Sequence, residues 1–348
     1  MNVLQTMGMA VIWVVGLALG VVILGKSLSS IAEAKWLKNP KGPGRVMDVR
    51  GYRRYATLRG EKGPVVLIEP GLGVPSPEWW DIQAEIARHA RILTYDRAGL
   101  GWSDSVPAPR TGRRIAEELH DLLKAEGLSA PYILVGHSQG GLYLRHFGVL
   151  YPQEVAGAVF IDPLSPEDNR FAHELPGKVY RKSGVNKLPN LKRAQALGCL
   201  GLLRLLKPLL QKSPSFHSQG LSAEVREIIW QDYMLPKAWG TAMDEYVQAH
   251  EPAHNQGVVP QETYPEVPIK VLYHDPEVIV REMIKYGRLT VQEAWQVEHL
   301  WQELVREYLT LSKRAEWQVV DNSGHNIHLE RPEVVVGAVL AMIKNLQV

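Results

Sequence analysis

"PYILVGHSQGGLYLRHFG", residues 131 to 148, runs from an apolar strand-like stretch through Gly-His-Ser-Gln-Gly-Gly into a helical pattern. Gly136 and Gly140 stand two residues before and two after Ser138. Glycines at such a junction mark backbone that other residues cannot adopt, or a close approach that a side chain would block. Gly-x-Ser-x-Gly between a strand and a helix is the pattern of a sharp, strained turn. It lifts the serine hydroxyl above the sheet edge and aims a helix N-terminus at it. Five letters also fit an ordinary tight turn, so the rest of the chain has to decide.

Working outward, short apolar strands alternate with longer helical patterns. "VVLIE" (65–69), "RILTYD" (91–96), "YILVGH" (132–137) and "GAVFID" (157–162) read as strands, with "PEWWDIQAEIARHA" (77–90) and "RRIAEELHDLLKAEGL" (113–128) as helices between them. A hairpin-like pair, "RVMDV" and "YRRYATL", precedes them from Arg45. After residue 163 the alternation stops for about a hundred residues. It resumes with "IKVLYHD" (269–275), "EWQVVD" (316–321) and a last helix from Pro332. This order predicts an α/β fold, a mostly parallel sheet with helices on both faces. Ligands of such sheets sit at the carboxyl ends of the strands, where Ser138 falls.

The expected organisation is an N-terminal segment, 1–44, then a core of 45–163 and 267–348, interrupted by a helical cap, 164–266. With 348 residues, 39 Lys+Arg against 37 Asp+Glu leave a net charge of +2, which excludes nucleic-acid binding by charge. A single cysteine, Cys199, rules out an intrachain disulfide and a cysteine-based metal site. "MGMAVIWVVGLALGVVILG" (7–25) is uncharged over 19 residues, the length that crosses a bilayer core of roughly 30 Å. Its length and the lack of a preceding basic stretch favour a retained transmembrane anchor over a cleaved signal peptide. Lys26, Lys35, Lys38, Lys41 and Arg45 follow it against one acid, Glu33, so the cell membrane with the folded domain on the cytoplasmic side is expected. "NPKGPG" (39–44) reads as a linker.

In the cap, Lys178, Arg181, Lys182, Lys187, Lys192, Arg193, Arg204, Lys207 and Lys212 occur without one acid between them, around the apolar "ALGCLGLLRLLKPLL" (196–210). A solvated basic face accounts for this. So does a lid resting on anionic membrane lipids, which an anchor beside it favours.

A nucleophilic serine needs a base, an acid to orient the base, and donors for an oxyanion. Of twelve histidines, His325 in "VVDNSGHNIHLERPE" follows the last strand and so lies at the same sheet edge as Ser138. The acid is expected between Ser138 and His325 in the chain. Asp162 and Asp275 each end a strand, and either reaches that edge. Asp162 is followed at once by Pro163 and the departure into the cap, a turn that accounts for an aspartate by itself. The oxyanion donors are expected to be the backbone amides of Gln139, after the serine, and of Leu72 in "PGLG" (70–73).

With "GHSQGG", "EPGLG", "YDRAGLGWSD" (95–104) and "SGHNIHLERPE" in this order, the chain resembles the α/β-hydrolase-fold serine hydrolases over residues 45–163 and 268–348, with the cap outside the likeness. The resemblance implies Ser138, Asp275 and His325 as a catalytic triad, and Leu72 and Gln139 as the oxyanion hole. One departure is Pro70-Gly71, where many members have His-Gly. A serine in place of an aspartate nucleophile argues against the dehalogenase and epoxide-hydrolase branches. The resemblance thus implies an acyl-enzyme mechanism, with neither cofactor nor metal. A membrane-anchored esterase or lipase acting on a lipidic ester, of acylglycerol type, is the leading expectation. An acyltransferase or peptidase of the same fold, and a binding protein with a relic pocket, are the alternatives.

Overall fold

A computed structural model describes residues 3–206, 220–258 and 264–346. Eight strands form one sheet: β1 (Arg45–Val49), β2 (Tyr52–Arg59), β3 (Val65–Glu69), β4 (Arg91–Tyr95), β5 (Tyr132–His137), β6 (Val155–Ile161), β7 (Ile269–Tyr273) and β8 (Ala315–Val319). Their order is β1-β2-β4-β3-β5-β6-β7-β8. The β1–β2 hairpin joins antiparallel through β2 and β4, and every other pairing is parallel. β3 and β5 are buried along their whole length, as the unbroken apolar runs require of strands covered on both faces.

Helix α1 is Val3–Lys38, and α2 (Trp80–Ile86), α3 (Gly112–Ala125) and α4 (Gln139–Leu150) are the crossovers from β3 to β6. In α3, Ile115, Ala116, Leu119, Leu122 and Leu123 are buried, the helical spacing that buries one face. Thr111 caps its start by accepting from the Arg114 amide. Ala116, Leu119, Leu122 and Leu123 join Leu134, Leu144, Phe147 and Phe160 in one core layer. On the opposite face Ile82 and Ile86 of α2 meet Val335 and Val339 of the last helix over Ile133, Val135 and Val159. Burying each such side chain stabilises the fold by about 1.5–3 kcal/mol.

Between β6 and β7 the α-helices among the described residues are α5 (Arg170–Glu174), α6 (Gly177–Lys182), α7 (Leu188–Cys199), α8 (Ala223–Tyr233), α9 (Pro236–Ala249) and α10 (Pro252–Asn255), and no strand is described there. After β7 come α11 (Pro276–Gly287), α12 (Val291–Arg306), α13 (Ile327–Glu330) and α14 (Pro332–Leu346). Lys178, Arg181, Lys182, Lys187, Lys192 and Arg193 are exposed. Arg204 instead donates to Gln231 at 3.3 Å, and Lys207 and Lys212 lie outside the described residues.

α1 is 36 residues long, about 54 Å at 1.5 Å per residue. Its stretch Met7–Lys38 contains an 18-residue window apolar enough, and is itself long enough, to cross a membrane. Val11, Trp13, Leu17 and Ile23 point outward. The helix does not stop at residue 25. Its C-terminal end docks on the domain, where Trp36 stacks on Trp102 with ring centres 4.6 Å apart and donates to the Gly101 carbonyl at 3.3 Å. Gly25 meets Gly201 so closely that a Cβ on Gly25 would lie 2.9 Å from the Gly201 oxygen. The 39–44 stretch is pinned as well: the Tyr55 hydroxyl donates to the Lys41 carbonyl and accepts from the Gly44 amide, both at 2.9 Å.

Candidate active site

Ser138 has φ 52° and ψ −123°, a conformation strained for any residue but glycine. Three hydrogen bonds hold it there. The Ser138 amide donates to the Ile161 carbonyl at 3.0 Å, and the Ser138 carbonyl accepts from Gly141 at 2.9 Å and Leu164 at 2.8 Å. The glycines permit the close passage of strand and helix: a Cβ on Gly140 would sit 2.2 Å from the Glu69 oxygen, where no side chain fits.

His325 lies in the loop after β8, with Nε2 3.0 Å from Ser138 Oγ. On its other side Nδ1 meets Asp162 Oδ2 at 2.5 Å. The His325 carbonyl accepts from His137 Nε2 at 3.0 Å, which fixes the backbone that carries the imidazole.

The expectation for Asp275 is corrected here. Its carboxylate caps α11, accepting from the Glu277 amide, and accepts from the Asn322 amide as well, both at 3.0 Å. These duties turn it along the β7 turn, away from His325. Asp162 is the carboxylate that reaches the imidazole. Directly after β6 it takes φ 43°, held by its amide on the Leu272 carbonyl, and this left-handed backbone directs the side chain across to the His325 loop. Launching the chain toward the helical segment and meeting His325 are thus compatible in one residue.

Three residues that the sequence reading did not single out build the surroundings. His274, one position before Asp275, has Nδ1 2.8 Å from Asp162 Oδ2 and Nε2 3.0 Å from Glu298 Oε2. Glu298, on α12, also accepts from the Tyr273 hydroxyl at 2.7 Å. Burial disfavours a charged His274, but Asp162 and Glu298 outweigh it and push its pKa up to about 10. Burial likewise opposes the charge on Asp162, yet His274 and His325 hold its carboxyl below the usual range.

Arg97 is the third. Its guanidinium donates to Glu69 at 2.8 Å, to the Pro70 and Gly71 carbonyls at 2.8 and 2.7 Å, and to both Glu245 oxygens at 3.0 Å. It thereby fixes the loop that carries Leu72 and ties it to α9. A Cβ on Gly71 would lie 3.5 Å from Ser138 Cβ, so this loop runs beside the serine. Gln139 opens α4 directly after Ser138, and its side chain donates to the Glu245 carbonyl at 2.8 Å. Among the described residues neither the Leu72 nor the Gln139 amide donates within the surrounding turns. Glu78 and His328, 2.8 Å apart, form a neighbouring pair in which burial moves both groups toward neutrality, the carboxyl up to about 8 and the imidazole down to about 3.

Residues 65–338 match the family model described as the alpha/beta hydrolase family. The chain belongs to this family. An AB hydrolase superfamily protein of Gibberella zeae is 27% identical over 311 residues, covering 86% of this chain and 90% of its own. Two further curated relatives, 36% and 35% identical over 125 and 105 residues, are matched over only 18% and 42% of their length. Among solved structures, a thermophilic esterase of Thermogutta terrifontis is 18% identical with a TM-score of 0.58, covering 88% of this chain and all of its own. The enol-lactonase of Burkholderia xenovorans LB400 is 16% identical with a TM-score of 0.56, covering 86% and 100%. These likenesses to solved structures are likenesses of fold. Among the described residues no group of three His, Cys, Asp or Glu side chains is arranged to hold a metal ion.

Proposed function

We propose that the chain is a serine-dependent carboxylic ester hydrolase, anchored in the cell membrane by α1 and acting on a lipidic ester of acylglycerol type. The observation that carries the reading is the continuous contact from Ser138 Oγ through His325 to Asp162 at the carboxyl edge of the sheet. His325 takes the proton of Ser138 as Oγ attacks the ester carbonyl. Asp162 stabilises the imidazolium that forms and holds the tautomer that leaves Nε2 to accept. The amides of Leu72 and Gln139 receive the oxyanion, the alcohol leaves with the proton from His325, and water releases the acyl group.

The lipidic substrate is supported by the exposed apolar helix that joins the helical segment at Gly25 and Gly201. In this reading the domain lies on the cytoplasmic side, and Lys192 and Arg193, exposed on α7, face anionic lipid headgroups. The reading is tested with a fluorophosphonate probe and a panel of p-nitrophenyl esters of increasing chain length, with monoacylglycerols beside them. The wild-type chain is expected to label and turn over. Ser138→Ala is expected to lose both, by on the order of 10⁴ to 10⁶ in kcat, while melting like the wild type. A variant that keeps a tenth of the activity removes Ser138 as the nucleophile.

A further inference from the structure

His274 is fully enclosed, and both of its ring nitrogens face carboxylate oxygens, Asp162 Oδ2 at 2.8 Å and Glu298 Oε2 at 3.0 Å. A neutral imidazole has one N–H and one lone pair. With both carboxylates ionised, the lone pair would point at an oxygen that also offers only lone pairs. A ring that donates from both nitrogens satisfies both contacts. We propose that His274 is a positioning residue for the Ser138 chemistry, a buried imidazolium that keeps the Asp162 carboxylate ionised and aimed at His325 Nδ1, with Glu298 balancing its charge.

The arrangement addresses a difficulty that burial creates. A fully buried carboxylate tends to take up a proton, and a protonated Asp162 no longer carries the charge that stabilises the His325 imidazolium. A cation on the same oxygen prevents this. By itself that cation would also oppose the positive charge that His325 acquires during the reaction. Glu298, on the far side of His274, cancels it. Asp162, His274 and Glu298 together then carry one negative charge, the same as the lone aspartate of a simple triad. The direction of the shifts agrees, with His274 raised and Asp162 lowered despite burial.

The neighbours of the pair are few. Trp301 of α12 meets the His274 ring edge-on at 4.9 Å and lies 5.6 Å from the His325 ring. Tyr273 contacts the His274 ring at 4.0 Å and donates to Glu298. Exposed Glu282 of α11 lies within electrostatic reach of both histidines, Glu330 and Lys187. His137 and His328 face His325, and burial holds both toward the neutral form.

The inference rests on Ser138 being the nucleophile, and two measurements on the full-length chain in detergent separate the two claims. Nitrogen-15 histidine spectra near pH 8, about 1.5 units above the ordinary histidine value, are expected to show, beside any signal of His250, whose ring nitrogens face the Tyr246 carbonyl and Asp168, a further histidine with both ring nitrogens protonated. Its signal is expected to vanish in His274→Gln. The rate of fluorophosphonate labelling is then followed against pH, whose acid limb reports the free enzyme's base. His274→Gln removes a positive charge and leaves two carboxylates, so the limb is expected to move up by about one pH unit. Glu298→Gln removes a negative charge, so the limb is expected to move down by about as much. A role confined to packing moves neither limb in a charge-dependent direction. Absence of labelling in the wild type overturns the nucleophile assignment, and the positioning role with it. Labelling accompanied by a singly protonated His274, or by limbs that coincide with the wild type, overturns the role of His274 alone. Should these variants not fold, the spectrum of His250→Gln, which removes the other candidate signal, still decides the charge state on which the proposal depends.

Discussion

Asp162 and Asp275 end neighbouring strands and do different work. Asp162 is bonded to two imidazoles, whereas Asp275 is bonded to two backbone amides. Asp162→Asn presents an amide to His325, which disturbs the tautomer required of the base, and a loss of about 10⁴ in kcat is expected. Asp275→Ala removes a helix cap, which costs about 1 kcal/mol of stability, and activity is expected to stay within about tenfold of the wild type. Melting curves read beside labelling rates tell the two variants apart. If Asp162→Asn labels like the wild type while Asp275→Ala is dead and stable, the geometry has been read wrongly.

At the scale of elements, α1 changes character along its length. Its first part exposes apolar side chains on every face, and its last turns are fastened to the domain through Trp36, Ser29 and the Leu37 carbonyl, which accepts from Arg53 at 2.6 Å. An aromatic stack contributes about 0.5–1.5 kcal/mol beyond the area that it buries. Trp36→Ala is therefore expected to lower the melting temperature of the full-length chain without releasing it from membranes. Deleting residues 7–25 is expected to release it. Carbonate extraction and thermal melts read the two effects separately. Extraction of the intact chain by carbonate would rule out the anchor, and an unchanged melt in Trp36→Ala would rule out the docking.

Across the whole molecule, the core and the helical segment between β6 and β7 are joined by buried polar contacts. His146 of α4 meets the Asn255 side chain of α10 at 3.3 Å, and Arg97 reaches Glu245 of α9. Burial pushes the His146 pKa down to about 4. An unfolded histidine titrates near 6.5, so below that pH the unfolded chain binds the proton first and the wild type loses stability until the folded value is reached. His146→Gln has no such proton to bind. Relative to this variant, the wild type is expected to lose about 1.4 kcal/mol per pH unit between pH 6.5 and 4, and nothing above 6.5. Paired melts near pH 7 and near pH 5 check it. A difference between the two proteins that is the same at both pH values would contradict a neutral, buried His146.

The alternation of strands and helices, the serine turn and the apolar N-terminal stretch were legible in the sequence because each is local. Periodicity places apolar side chains on one face, and the glycine pattern of the turn lies within a few residues of Ser138, although the contact that Gly140 relieves is with distant Glu69. Ser138 and His325 were legible for the related reason that each follows a strand whose carboxyl end defines the edge. The choice between Asp162 and Asp275 was not local. It turned on a positive φ at Asp162 and on a cap that occupied Asp275, neither of which residue spacing reveals. His274, Glu298 and Arg97 were hidden for the same cause. A buried ion network is assembled from residues tens of positions apart, whose pairing exists only after β6, β7, α9 and α12 have packed. The docking of Trp36 on Trp102 and of Gly25 on Gly201 also belongs to tertiary structure, because the composition of α1 describes what the helix avoids, water, and not which surface receives its end.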